Sequence, residues 1–244
     1  MITAEVLRLG YRFEPRRLVV TKSFVKYRGA ILLLPEQLHP RNSESVLPMS
    51  IASDPDALPR CPWAGDDPVY RHYHDHEWGR PVTSDTRLFE KICLEGFQSG
   101  LSWITILRRR EGYRRAFDGF DPDKIARYDG RKIAALLGDS GIIRNRRKIE
   151  GAVKNARAFL RLRERGKSLS SFLWGFVDGE PVINRWKSIE EIPAVTPLAE
   201  KISKAMKREG FVFFGPVIAY AHMQATGLVN DHLLSCFRHP DAGR

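Results

Sequence analysis

The sequence predicts an all-α body preceded by a shorter stretch of different character. Three observations carry that expectation. From Arg60 onward apolar residues recur at helical intervals, and few segments alternate as strands do. The 244 residues are 43 % hydrophobic and 28 % charged, a composition able to bury a sizeable core in one domain of moderate size with an appendage. The three cysteines, Cys61, Cys93 and Cys236, are too few and too scattered for a disulfide framework.

Residues 1–58 stand apart. "LVVTKSFVKYRGAILLLP" is strand-like, and "EQLHPRNSESVLPMSIASDPDALP" is rich in Pro and Ser and punctuated like a linker. This extension is expected to be a small strand-bearing appendage, a poorly ordered tail, or an upstream addition to the reading frame, with Met49 as an alternative start. Glu5 and Glu14 argue against a mitochondrial presequence. With no secretory pattern at Met1, a reducing cytoplasm is the expected setting. The longest apolar run, "AILLL" at 30–34, is strand-sized, far below the ~20 residues of a membrane helix.

The helical body, residues 59–240, reads in order. "SDTRLFEKICLEGFQSGLSWITILRRREGYRRAF" starts at a Ser84 or Asp85 N-cap and is divided at Gly96 or Gly100. "DPDKIARYD" and "RKIAALLGD" are short helices, and "RRKIEGAVKNARAFLRLRERG" is a longer basic one ending at Gly166. "SLSSFLWGFVDG", "LAEKISKAMKREG" and "PVIAYAHMQATG" supply three more.

Charge narrows the function. The net charge is +11, and from Arg108 to Lys167 nineteen Lys/Arg face eight Asp/Glu, so the whole excess sits on one quarter of the chain. A solvated helical face is the plain explanation, but so localised a surplus is also the footprint of a polyanion binder, with DNA or RNA as first partner. The surplus peaks in "AALLGDSGIIRNRRKIEGAVKNA", the outline of a helix-hairpin-helix. Gly141 is expected to turn the backbone with positive φ and approach a phosphate at a helix N-terminus. Ile142 and Ile143 anchor the turn, and Arg144, Arg146, Arg147 and Lys148 face the phosphates. An ordinary αα-hairpin fits the pattern equally, and the charge tips the choice.

Two further clusters carry chemistry. "GLVNDHLLSC" puts His232 and Cys236 four apart, which on a helix stacks them on one face as half of a metal site. "RCPWAGDDPVYRHYHDHEWGRP" holds Cys61 with His72, His74 and His76, any one of which completes the set as far as spacing tells. The same stretch carries Trp63, Tyr70, Tyr73 and Trp78, more rings among polar groups than a plain core needs. In "LEGFQSGLSW", Glu95 lies in an apolar helix with Trp103 eight residues on. A buried carboxylate is costly unless paired or used, although an exposed stripe is also compatible with its neighbours. A carboxylate with several aromatic faces suits a flat cationic heterocycle, which the rings stack on while the carboxylate accepts from an exocyclic amine.

The segments "RCPW", "DPVYRHYHDHEWGRPV", "LFEKICLEGFQSGLSWITILRRRE", "DSGIIRNRRKI", "NARAFL", "GFVFFG" and "MQATGLVNDHLLSC" run collinearly from Arg60 to Cys236. Over that span the chain resembles the DNA-3-methyladenine glycosylase I family of the helix-hairpin-helix glycosylase superfamily. The resemblance implies an all-helical fold and a base-excision repair enzyme that hydrolyses the N-glycosidic bond of 3-methyladenine in double-stranded DNA, leaving an abasic site. It implies one structural zinc ion held by Cys61, His74, His232 and Cys236. It also implies Glu95 as the base-contacting, catalytic carboxylate, with Tyr70, Tyr73, Trp63 and Trp103 lining the pocket and Trp78 and Gln98 bordering it. Two departures are visible: "QSG" for the usual "QAG" puts Ser99 beside the pocket, and Glu209 in "KREGF" removes a positive charge. A non-catalytic zinc-containing damage-binding protein is the alternative, and a monomer is the expected state.

Overall fold

The computed structural model describes residues 58–242. The expectations placed on the opening 1–58 stretch fall outside them, Leu58 apart. A 3₁₀ turn over Pro62–Ala64 leads into α1 (Pro68–His76), α2 (Asp85–Gln98), α3 (Trp103–Ala116) and the one-turn α4 (Pro122–Ile125). There follow α5 (Gly130–Gly138), α6 (Arg146–Glu164), α7 (Leu169–Trp174), α8 (Pro197–Arg208) and α9 (Pro216–Ala225). The body is helical, as the periodicity predicts. No helix among the described residues is long and apolar enough to cross a membrane.

The helix starts follow from local chemistry. Asp67 accepts from the amides of Val69 and Tyr70 at 2.9 and 3.3 Å, and Pro68 occupies the first helical position, where its missing N–H costs nothing. The same Asp-Pro device starts α4 at Asp121. The periodicity does not mark α1, whose polar and ring-bearing residues hide its amphipathic face, but this capping pair does. Ser84, not Asp85, caps α2. Asp85 instead accepts from the Leu169 and Ser170 amides at 3.1 and 2.8 Å, so the first turn of α2 caps α7. Of the two glycines read as dividing α2 from α3, Gly100 does so, with φ +79°, while Gly96 lies inside α2.

Helix α2 runs through the core and packs against α3, α6, α7 and α9. Leu88, Phe89, Ile92 and Phe97 on it are at most 1 % exposed, and Ile149, Ala156 and Leu162 of α6 are wholly buried. A two-residue parallel pair, β1 (Val182–Ile183) with β2 (Val229–Asn230), was not expected. It is too short to show alternation, and it registers Val182 on Val229 and Ile183 on Asn230.

Immediately after β2, Asp231 is fully buried and satisfied on both oxygens. Asn184 Nδ2 and Trp186 Nε1 donate to Oδ1 at 2.7 and 2.9 Å, and Tyr220 OH and Gln224 Nε2 donate to Oδ2 at 2.5 and 2.7 Å. Burial and the adjacent carboxylate push the Tyr220 phenol far above its usual range, so it stays a donor. Asp231→Asn turns one acceptor into a donor facing donors. We expect it to lower stability by roughly 2–5 kcal/mol in urea unfolding, while Tyr220→Phe costs about 1 kcal/mol. Equal unfolding midpoints for all three proteins would overturn the role of Asp231 as a hub.

Candidate active site and metal centre

Four side chains from the two ends of the helical body meet in its interior. Cys61 precedes the 3₁₀ turn, His74 lies on α1, and His232 and Cys236 follow β2. All four are at most 1 % exposed, and their donor atoms lie within 4.8 Å of one another. Cys61 Sγ is 3.6 Å from His232 Nδ1, and Cys236 Sγ is 3.5 Å from the same atom and 3.3 Å from His74 Nε2. A tetrahedral ion bound at about 2.0–2.3 Å by two thiolates and two imidazoles holds its donors about 3.3–3.8 Å apart. The donor set fits.

Both rings are oriented for that task. Asp75 can only accept, so His74 Nδ1 donates to it at 2.7 Å and leaves Nε2 bare toward the cluster. The carboxylate of Asp75 is in turn held by Arg60 at 2.9 Å. Burial opposes its ionisation, but the Arg60 and His74 hydrogen bonds outweigh that and keep its carboxyl below the ordinary value. His232 Nε2 donates to the Trp78 carbonyl at 3.2 Å, freeing Nδ1. These partners fix the tautomers a metal needs. The two buried thiols act on each other, and that interaction pushes Cys61 up and Cys236 down. A metal ion would bind both as thiolates, the ligand form.

The helix expected for "NDHLLSC" is absent. His232 and Cys236 sit on a turn, because Asn230 Oδ1 accepts from the His232 amide at 3.1 Å and the Cys236 amide donates to Leu233 O at 2.8 Å. Spacing left three histidines open, and burial separates them. His74 is 0 % exposed, whereas His72 and His76 are exposed and pair with each other at 4.7 Å on the outer face of α1.

Against the cluster lies a group of aromatic rings. Trp63 is edge-on to Tyr70, Tyr73 and Trp78 at 5.7, 6.4 and 5.0 Å, and Tyr73 is 5.6 Å from Trp103. Trp78 also faces His232 at 4.6 Å, so it joins the rings to the metal donors. Burial, and then Glu95, push the Tyr73 phenol well above its usual range. Glu95 is 4 % exposed, which removes the exposed-stripe alternative. Its Oε2 accepts from His222 Nδ1 at 2.8 Å, and its Oε1 has no partner among the described residues. The indole nitrogens of Trp63 and Trp103 are likewise buried without partners there. Gln98 follows Glu95 by three residues on the last turn of α2, where spacing puts it on the same face.

Sequence reasoning missed His222 and Lys91, although each is a polar residue in an apolar helical run, the signal that marked Glu95. Lys91 is 7 % exposed, one turn before Glu95, with Nζ 5.4 Å from the centre of the Tyr73 ring. Burial pushes its ammonium below the ordinary value, against the pull of Glu95 and Glu77.

Between α5 and α6 the chain makes a tight hairpin. The Gly141 amide donates to Asp139 Oδ1 at 2.7 Å, Ile142 is 3 % exposed, and the Ile143 amide donates to Tyr113 OH at 3.1 Å. Gly141 does not take the positive φ expected of it. Its requirement is space: a Cβ there would stand 3.0 Å from Asp139 Oδ1, and a Cβ on Gly112 of α3 would meet Gly141 O at 2.4 Å. Arg144, Arg146 and Arg147 are exposed on the outside of the hairpin. Lys148 is a correction, since its side chain turns inward. Nζ donates to Phe97 O and Ser99 O at 2.8 and 2.6 Å, because the carbonyls ending α2 need donors. Of the two departures, Ser99 caps α2 and presents that carbonyl, and Glu209 pairs with Arg165 of α6, cancelling one of its charges.

The chain is similar to known proteins over nearly all of its described residues. The sequence pattern of the family described as methyladenine glycosylase matches residues 63–239. A DNA-3-methyladenine glycosylase of Haemophilus influenzae is 49 % identical over 177 residues, which cover 72 % of this chain and 96 % of the relative. DNA-3-methyladenine glycosylase 1 of Escherichia coli is 46 % identical over 183 residues, covering 75 % and 98 %. A crystal structure of a 3-methyladenine DNA glycosylase I superposes with a TM-score of 0.73 at 50 % identity, covering 74 % of this chain and all of that one. The Staphylococcus aureus enzyme, in a structure describing 3-methyladenine recognition, superposes with a TM-score of 0.71 at 35 % identity, covering 77 % and 98 %.

Proposed function

The chain belongs to the methyladenine glycosylase family, and on that premise we propose how it acts as a DNA-3-methyladenine glycosylase. It is a base-excision repair enzyme that hydrolyses the N-glycosidic bond of 3-methyladenine in alkylated DNA and leaves an abasic site. One observation carries the assignment of the site. A buried carboxylate whose second oxygen has no partner among the described residues lies close enough to Tyr73 to raise its phenol, and Tyr73 packs against Trp63 and Trp103, whose buried indole N–H groups are likewise unpartnered there. Buried polar atoms are ordinarily satisfied, so such a set is organised for a ligand.

The target base is stacked in duplex DNA and must be extruded, at a cost of a few kcal/mol. The α5–α6 hairpin, read as a helix-hairpin-helix, offsets that cost through Arg144, Arg146 and Arg147 on the phosphates, since the Gly141 and Ile143 amides are taken by Asp139 and Tyr113. N3-methylation leaves adenine cationic, so the glycosidic bond is already labile and the base departs neutral. Little acid catalysis is needed, and selectivity becomes the harder task. Each desolvated aromatic face prefers the cationic base by about 0.5–2 kcal/mol. Trp63, Tyr70, Tyr73 and Trp103 supply those faces, with Trp78 and Gln98 at the border. Glu95 Oε1 accepts from the exocyclic amine. As the base loses its charge, the same carboxylate stabilises the positive character left on the sugar and orients the attacking water. The enzyme works as a cytoplasmic monomer on double-stranded DNA.

The metal is one zinc ion held by Cys61, His74, His232 and Cys236. Four protein ligands leave no open position for water, so the ion supplies folding energy and no chemistry on the substrate.

Three measurements test these assignments. Methylated DNA incubated with the protein is expected to release 3-methyladenine, identified chromatographically, and Glu95→Gln to slow excision on the order of 10²-fold. Absence of any release would point to a non-catalytic damage-binding protein, and a fully active Glu95→Gln would remove Glu95 from the mechanism. Purified protein is expected to carry one zinc per chain, and stripping it to lower Tm by about 10 °C, the shift of about 4 kcal/mol of lost binding in a domain this size. An unchanged Tm after verified removal contradicts the clasp. In a salt series of duplex affinity, Arg147→Ala is expected to reduce the slope of log K against log salt by about one, and Lys148→Ala to leave it unchanged. Equal slope changes would return Lys148 to the phosphate-binding set.

A further inference from the structure

His222 lies on α9 in the apolar run "PVIAYAHMQA" and is 0 % exposed. Its Nδ1 is 2.8 Å from Glu95 Oε2. A carboxylate only accepts, so Nδ1 carries the hydrogen and the imidazole donates. The ring has little freedom. The His222 carbonyl accepts from the Thr226 amide at 2.9 Å and from Thr226 Oγ1 at 2.6 Å, and Phe214 stands edge-on to the ring at 5.3 Å. A second proton, on Nε2, would find no acceptor, since that atom is buried without a partner among the described residues.

We infer that His222 is a positioning residue for Glu95, an inference that rests on the reading of Glu95 as the carboxylate that meets the base. The hydrogen bond to Oε2 fixes the plane of the carboxylate, so that Oε1 presents its lone pairs in one direction. An unheld glutamate would rotate about its terminal torsion and meet an exocyclic amine and a ring nitrogen indiscriminately. The singly protonated imidazole does this without adding a positive charge. An imidazolium against Glu95 would cancel the negative charge that favours a cationic base over neutral adenine. His222 therefore contributes to selectivity as well as to rate, although it touches Glu95 and not the base.

Three substitutions separate this role from mere packing. His222→Asn keeps an N–H close to the Nδ1 position, His222→Gln carries its amide to the Nε2 position, and His222→Phe keeps a ring with no donor. Excision of 3-methyladenine from duplex DNA gives kcat/KM, tryptophan fluorescence gives affinity for free 3-methyladenine and adenine, and Tm reports folding. His222→Gln and His222→Phe are expected to lose on the order of 10–100-fold in kcat/KM and to narrow the preference for the methylated base, with His222→Asn within about threefold of the native protein. A packing role predicts the opposite order for the two amides, since Gln matches His more closely in size. If His222→Phe fails to fold, the Asn–Gln contrast decides alone. Equal activity of the two amide variants, or full activity of a folded His222→Phe, overturns the inference. Glu95→Gln is assayed beside them. If it is fully active, the reading of Glu95 fails. If it is impaired while the His222 variants are not, only the positioning role fails.

Discussion

Two thiols and two imidazoles, drawn from positions as far apart as Cys61 and Cys236, close the helical body end to end. The rest of the site depends on that closure. Trp63 follows Cys61 by two residues and Tyr73 immediately precedes His74, so the positions of the ligands dictate where an indole and a phenol can stand. Backbone bonds repeat the stitch: the Phe237 amide donates to Pro59 O at 2.8 Å, Gly79 to Gln224 O at 3.0 Å, and Val82 to Thr226 O at 2.9 Å. A donor cluster tolerates displacements of only a few tenths of an ångström before metal geometry fails. It therefore passes its own precision to the aromatic faces beside it.

Two buried carboxylates on either side of this closure carry opposite accounts. Asp231 receives four donors, two on each oxygen, and is a finished structural joint. Glu95 receives one donor on one oxygen and leaves the other open. An incompletely satisfied buried carboxylate is destabilising, and folded chains keep such groups where a ligand completes them. The contrast between the two residues, rather than burial itself, is what supports the role proposed for Glu95.

The hairpin shows how small residues and a displaced charge join its basic outer surface to the interior. Gly112 lets α3 approach the Gly141 carbonyl, and Tyr113 beside it accepts from Ile143. Lys148, the first inward-turned cation of α6, grips the carbonyls that end α2 one turn beyond Glu95. A basic run thus contributes outward charge through its arginines and inward rigidity through its lysine. Guanidinium and ammonium divide the work by reach and hydration.

The sequence by itself determined the helical class and the chemistry available. Periodicity, the cap at the start of α2 and the glycine after it are local signals, read within a turn or two of chain; a carboxylate in an apolar run and a crowd of rings singled out Glu95 and the aromatics, and the resemblance to the family implied the Cys and His donors. What only tertiary structure decided was direction and partnership. His72, His74 and His76 alternate around α1, and which of them faces inward depends on Cys61 and Cys236 arriving on one side. The same holds for Lys148, whose ammonium turns inward only because the end of α2 lies beneath it, and for His222, which sequence separates from Glu95 by 127 residues. Burial and hydrogen bonding between distant segments are properties of the packed chain, and no local pattern encodes them.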